Sequence, residues 1–292
     1  MVRELSAELW HRAQAVLGEG PQWDPRRQRL SWVDLESSRL HVDDAQGRPL
    51  ASYQLPGHVG AALPAQEGGW LVALPDRLAV LDEAGGLEDV VALEAHIPGN
   101  RSNDAKCDPA GRAWVGTMAY DESTINGTLF RLDPGRRLTP VLRGVGISNG
   151  MAWDAAGTTM YYVDSAAQEV RAYPFDMVTG GLGTPEVLVL VDEGDGHPDG
   201  LCIDDEGCLW VALFGGSAVH RYTPAGQLDT VVRVPASYTT SCCFGGPRND
   251  QLFITSARRG LTPADLARQP EAGSVWAAYP GVSGPPPVLW GG

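Results

Sequence analysis

Four short segments carry polar side chains that neither a plain strand nor a plain turn requires: Gly18-Glu19-Gly20-Pro21, Arg101-Ser102-Asn103-Asp104, Ile147-Ser148-Asn149-Gly150 and Pro198-Asp199-Gly200. Each precedes an apolar run by a similar distance: 11 residues from Glu19 to Leu30, 10 from Asn103 to Ala113, 11 from Asn149 to Met160 and 10 from Asp199 to Leu209. In a repeating chain that spacing places them at equivalent points of successive units, facing a common axis. Glu19, Asn149 and Asp199 would then present two carboxylates and one amide oxygen, hard ligands suited to a divalent cation. Oxygen-only ligation favours Ca²⁺, Mg²⁺ or Mn²⁺, carboxylates also bind Zn²⁺ and Fe²⁺, and three protein ligands leave positions open for water and substrate. Taken singly, Asp or Asn before Gly is an ordinary turn former and Glu before Gly an ordinary solvated side chain. The shared register is what joins the three.

Two other patterns compete. Gly146-Ile147-Ser148-Asn149-Gly150 fits GxSxG, but the following MAWDAAGTTMYYV reads as strand, turn and strand, where an esterase nucleophile elbow needs strand, turn and helix. Glu193 to Asp199, EGDGHPD, lacks the DxDxDG spacing and closing Glu of an EF-hand and reads as a loop delivering Asp199, with His197 as a surface residue.

The elements that position these residues follow from a repeat. Apolar runs recur as LSWVDL from Leu30, GWLVAL from Gly69, AWVGTM from Ala113, MYYVDS from Met160, LWVALF from Leu209 and LFITSA from Leu252, at steps of 39, 44, 47, 49 and 43 residues. Turns of the form DxxG precede three of them, at Asp108, Asp154 and Asp204. A second strand follows each run, beginning at Ser38, Asp76, Gly127, Glu169, Ala218 and Ser274. Six such units predict an all-β, six-bladed β-propeller with the metal site at one mouth of its central channel, a single domain over residues 1–292. Ring closure is expected from Gln14 to Leu17 pairing near Ser274 to Tyr279, and a helical surface insertion at Pro263 to Arg268.

Composition bounds the partners. The 292 residues are 43% apolar and 20% charged, with no apolar run long enough to span a bilayer, so no membrane partner is expected. A net charge of −14 has the wrong sign for nucleic acid. The charged start of the chain does not resemble a secretory signal, which gives the cytoplasm as the expected location and five reduced cysteines with it. A closed propeller needs no partner to cover sheet edges, so a monomer is expected.

The segments GEGPQW from Gly18, RSNDAKCDPAGRAWVGTMA from Arg101, ISNGMAW from Ile147, PDGLCIDDEGCLWVA from Pro198, TSCCFGG from Thr240 and RQPEAGSVW from Arg268 cover nearly the whole chain. In them it resembles the SMP-30/gluconolactonase/luciferin-regenerating-enzyme family, which includes regucalcin and bacterial sugar lactonases. The resemblance implies a six-bladed propeller with one divalent metal, Ca²⁺ or Zn²⁺ foremost, held by Glu19, Asn149 and Asp199. It also implies substrate contacts from Arg101 and Asn103, and proton transfer by Asp199. After GTMA the family's animal proteins carry two Glu, the second touching substrate; here the pair is Tyr120-Asp121, so Asp121 takes that contact with a shorter reach.

The expected reaction is hydrolysis of a small-molecule sugar lactone to its aldonic acid, with the metal as Lewis acid, Asp199 as general base, and Arg101 and Asn103 holding sugar hydroxyls. The alternatives are a phosphotriesterase or other ester hydrolase on the same propeller, and a non-catalytic calcium-binding regulatory propeller.

Overall fold

Val, Trp, Tyr and Leu alternating between Gly, Pro and Asp turns make antiparallel strands, and the computed structural model, which describes residues 2–292, is built of little else. The first sheet runs Gly18–Asp24, Arg29–Asp34, Arg39–Asp44 and Pro49–Gln54; the second Ala61–Pro64, Trp70–Ala73, Arg77–Leu81 and Leu87–Ala92. The third runs Asn100–Cys107, Ala113–Ala119, Gly127–Asp133 and Arg137–Val145. The fourth runs Ser148–Trp153, Thr159–Asp164, Glu169–Asp176 and Glu186–Leu190, with the short strand Gly181–Leu182 also on Glu169–Asp176. A nine-stranded sheet holds the remainder.

Within that sheet, two runs meet at one pair, Phe214 with Tyr238. One run is His197–Ile203, Leu209–Phe214, Ala218–Tyr222 and Leu228–Arg233, with Arg3–Ser6 added in parallel at its edge. The other is Tyr238–Gly245, Gln251–Ala257, Val275–Ala278 and Glu8–His11. The first strands beginning at Gly18, Ala61, Asn100, Ser148, His197 and Tyr238 neighbour one another in closed cyclic order. This is an all-β propeller, as the repeat predicts.

The closing pair differs from expectation. Glu8–His11 pairs with Val275–Ala278, whereas Gln14 to Leu17 forms no strand: Ala15 donates to the Gly273 carbonyl and Leu17 makes an isolated bridge with Ala257. The five residues Leu9, Trp10, Ala13, Ala15 and Val16 are apolar without strict alternation, so periodicity does not locate the strand. The helix Pro263–Arg268 is where it was expected, buries no residue, and is opened by a capping box between Thr262 and Asp265.

The aspartates of the turns also fasten the core. The Asp108 carboxylate accepts from the Ala110 and Arg112 amides and from Trp114 Nε1 at 2.9 Å; Asp204 does the same for Glu206, Cys208 and Trp210 Nε1 at 2.9 Å. Each buried indole thus meets a carboxylate that closes the preceding turn, and the N–H that burial would orphan is satisfied. All five cysteines are free and buried. Among the described residues no helix is long and apolar enough to cross a membrane.

Candidate functional site

In five of the six first strands the ladder carries one additional residue; in Tyr238–Gly245, where Thr239 pairs with Ser256 but Ser241 with Thr255, the bulge holds none of the site residues. Glu19 pairs with Val33 but Gln22 with Ser31; Ser102 with Thr117 but Ala105 with Val115; Ser148 with Asp164 but Met151 with Tyr162; Pro198 with Leu213 but Leu201 with Val211. Such bulges free a residue from the ladder and re-aim its side chain. Asn103, Asn149 and Asp199 are each the first residue of their bulge. Glu19 is the last paired residue before its own, so the equivalence read from spacing holds for three positions and is offset by one at the fourth. The strand Ala61–Pro64 keeps an unbroken register and contributes none of these residues.

Glu19, Arg101, Asn103, Asn149 and Asp199 line one cavity of about 450 Å³, together with residues from the loops that link second and third strands. Asp34 accepts from the Val16 and Leu17 amides at 3.1 Å, and Asp164 accepts from Gly146 at 3.1 Å and Ile147 at 3.0 Å, fixing the segments that lead into Glu19 and Asn149. A side-chain relay then crosses three first strands. Arg101 Nη1 donates to Asn103 Oδ1 at 2.7 Å, Asn103 Nδ2 to the Ser148 carbonyl at 2.9 Å, Asn149 Nδ2 to Ser165 Oγ at 3.0 Å, and Ser165 Oγ to the Pro198 carbonyl at 2.6 Å. The strands approach closely because glycine follows the site residue: a Cβ on Gly150 would meet the Leu201 nitrogen at 2.3 Å, and one on Gly200 the Ser241 Oγ at 2.0 Å.

Ser148 of the GxSxG pattern is fully buried and takes a hydrogen bond from the Tyr162 hydroxyl at 2.5 Å, a packing role. His197 lines the cavity from the surface, its Nδ1 2.7 Å from Gln168 Oε1. Asp121 lies outside the cavity lining. Its carboxylate accepts from the Ser123 amide at 2.9 Å, the Thr124 amide at 2.8 Å and the Thr124 hydroxyl at 2.7 Å, which hold it well below the usual carboxylate range, at about 2. The neighbouring Glu122 lines the cavity instead.

Three further residues escape a reading of the sequence. Ser165 anchors Asn149, Arg259 lines the cavity, and buried Asp104 adds a third carboxylate to the neighbourhood. Strict alternation would turn Asp104 away from Asn103, and the bulge that cancels the alternation has no signature in RSND.

The electrostatics are those of carboxylates short of positive charge. Burial, then Asp104, push Glu19 up to about 8 against the Gly20 amide and Arg101; burial, then Glu19 and Asp104, push Asp199 well up. Burial lowers Arg101, whose guanidinium lies 5.9 Å from the Tyr120 ring centroid. Asp199 Oδ1 is buried with no hydrogen-bond partner. Two hard, under-neutralised carboxylates, one with an orphaned oxygen, beside an amide fit a divalent cation. Among the described residues no three His, Cys, Asp or Glu side chains form a metal-holding group, so a cation here would rely on the Asn149 amide as its third ligand.

Residues 17–258 match the family described as the SMP-30/Gluconolactonase/LRE-like region. YvrE of Bacillus subtilis (strain 168), named as a candidate sugar lactone lactonase, is 35% identical over 290 residues, covering 99% of each chain. Regucalcin of Danio rerio is 36% identical over 280 residues, 94% of this chain and 95% of its own. The solved structure of an Agrobacterium tumefaciens regucalcin, described as a calcium-binding protein, superimposes with a TM-score of 0.93 at 31% identity, over 99% of both chains.

Proposed function

We propose, for a chain that belongs to the SMP-30/gluconolactonase/LRE-like family, hydrolysis of aldonolactones to aldonic acids by a metal-dependent lactonase. The observation that carries this reading is the meeting of Glu19, Asn149 and Asp199 with Arg101 and Asn103 in one cavity. We count the nine-stranded sheet as two blades, giving one six-bladed domain; the closed cycle of six first strands supports that count. We also propose a cytoplasmic monomer; the closed ring, in which every first strand has two neighbours, supports the monomer.

Glu19, Asn149 and Asp199 would hold the cation, Ca²⁺ or Zn²⁺ by the donor set and the relatives. When bound, it supplies Lewis-acid polarisation of the lactone carbonyl and acidifies water. Asp199 Oδ1, free of any competing donor, accepts the proton of the attacking water. Arg101 donates to the sugar hydroxyls, and Asn103 is oriented for the same task because its amide is fixed at both ends. The buried Ser165 hydroxyl holds the Asn149 amide in place.

Metal-reconstituted protein assayed by acid release on pentono- and hexonolactones tests the assignment. Turnover is expected with the wild type, and only the spontaneous rate with Asp199→Ala. Wild-type rates in that variant would remove Asp199 from the mechanism. The calcium-binding description of the Agrobacterium relative favours one second reading, a propeller that holds Ca²⁺ without turnover; cation binding with silence across the panel would select it.

A further inference from the structure

Above the relay, three loops that link second and third strands meet over the cavity. Arg259, just past the strand Gln251–Ala257, places Nε 2.8 Å from Glu36 Oε1 in the first sheet's loop and donates through Nη1 to Glu122 in the third sheet's loop. The Glu122 carboxylate, bonded to Arg259, shares the cavity with the Arg101 guanidinium, on which both charges act. Its backbone has φ +58°, left-handed for a residue with a side chain, and the Asp121 carboxylate holds that turn through its bonds to Ser123 and Thr124. Glu122 and Arg259 both line the cavity. Side-chain exposures of 37% for Arg259, 38% for Glu122 and 31% for Glu36 place the bridge in water, where such pairs break readily.

We propose that Glu36–Arg259–Glu122 is a clamp across the mouth that sets the size of substrate admitted, with Asp121 positioning Glu122; the substrate part rests on the lactonase reading above. The clamp joins loops from opposite parts of the ring without plugging the cavity, so it admits a lactone of a single monosaccharide and rejects one extended by a second sugar. Asp121 recognises no hydroxyl directly: its oxygens already serve the turn that presents Glu122.

Two measurements separate the clamp from the substrate. A cysteine placed at the exposed, cavity-lining position Ala166 by Ala166→Cys is labelled with a small methanethiosulfonate and with a bulky maleimide dye, the parent protein with its five buried native thiols serving as the blank. Arg259→Ala, and independently Glu122→Gln, should raise the bulky-to-small rate ratio up to about tenfold, because the pairs they break are weak and exposed. Added salt should move the wild type the same way. Second, kcat/KM for a disaccharide aldonolactone relative to a hexonolactone should rise by up to about tenfold in both variants, the same bound that the weak pairs set on access. An unchanged labelling ratio would overturn the clamp whatever the substrate. A shifted labelling ratio with no lactone turned over by the wild type would uphold the clamp and remove the lactonase reading. Equal turnover of both lactones by the wild type would overturn the size selection.

Discussion

Raising the pH of cation-free protein from 5 to 8 should destabilise it through Glu19. Burial and the neighbouring Asp104 move this carboxyl from 4.5 to about 8, so the folded state keeps a proton that the unfolded chain gives up. A raised folded pKa makes a contribution that is complete below the unfolded value and is lost as pH climbs through the folded one. The interval from 4.5 to about 8, at about 1.4 kcal/mol per unit, sets an upper bound of about 5 kcal/mol. Relaxation and coupling to Asp199 reduce it to a few kcal/mol, which for a chain of this size is a fall in melting temperature on the order of 5–10 °C. The assay is thermal unfolding by circular dichroism of chelator-treated protein at half-unit pH steps. His11, raised by Asp43, and His41 and His220, lowered by burial, also depart from the ordinary imidazole value, so the informative comparison is with Glu19→Gln, which retains the histidines. The variant should have a shallower slope between pH 5 and 8, with buried Asp199 keeping a share of it, and saturating Ca²⁺ should flatten the wild-type profile. Parallel profiles for wild type and variant would refute the account of Glu19 as a buried, under-neutralised carboxyl.

Gly200→Ala should cost about 1–3 kcal/mol of stability. The new methyl meets Ser241 Oγ at 2.0 Å, and because Gly200 adjoins Asp199 the same variant should lose cation affinity by calorimetry. Deleting residues 2–11 removes the edge strands Arg3–Ser6 and Glu8–His11 from two adjoining runs. The deletion should broaden and lower the unfolding transition and speed digestion within Tyr238–Ala278; a melt identical to the full chain would contradict the pairing.

The repeat made the architecture legible because every unit carries an apolar run at a similar step, three of them behind a DxxG turn, and the Asp108–Trp114 and Asp204–Trp210 bonds show why the turn aspartate and the strand tryptophan travel together. The convergence of Glu19, Arg101, Asn103, Asn149 and Asp199 was legible for the same reason. What spacing hid was the one-residue offset of Glu19, since counting to the next apolar run cannot distinguish a paired residue from a bulged one. Ser165 is the last residue of the run MYYVDS, Arg259 lies after LFITSA and Asp104 lies on the wrong parity, so no period marks them. The exchange of Asp121 for Glu122 at the cavity is invisible for a local reason: Asp121 precedes Ser and Thr whose amides and hydroxyl capture its oxygens, and a turn of that kind is decided by φ and not by composition.

The pairing of Glu8–His11 with Val275–Ala278 also constrains how the chain is made. On a ribosome adding about 5–20 residues per second, roughly a quarter of a minute to a minute passes between synthesis of the first partner and of the second. Throughout that interval the early sheets can fold against one another, while the first strand of the pair must wait unpaired and the last sheet has no outer edge. Closure therefore comes late in synthesis and joins strands far apart in sequence, so Glu8–His11 is exposed for that interval to capture by a chaperone or by a neighbouring nascent copy.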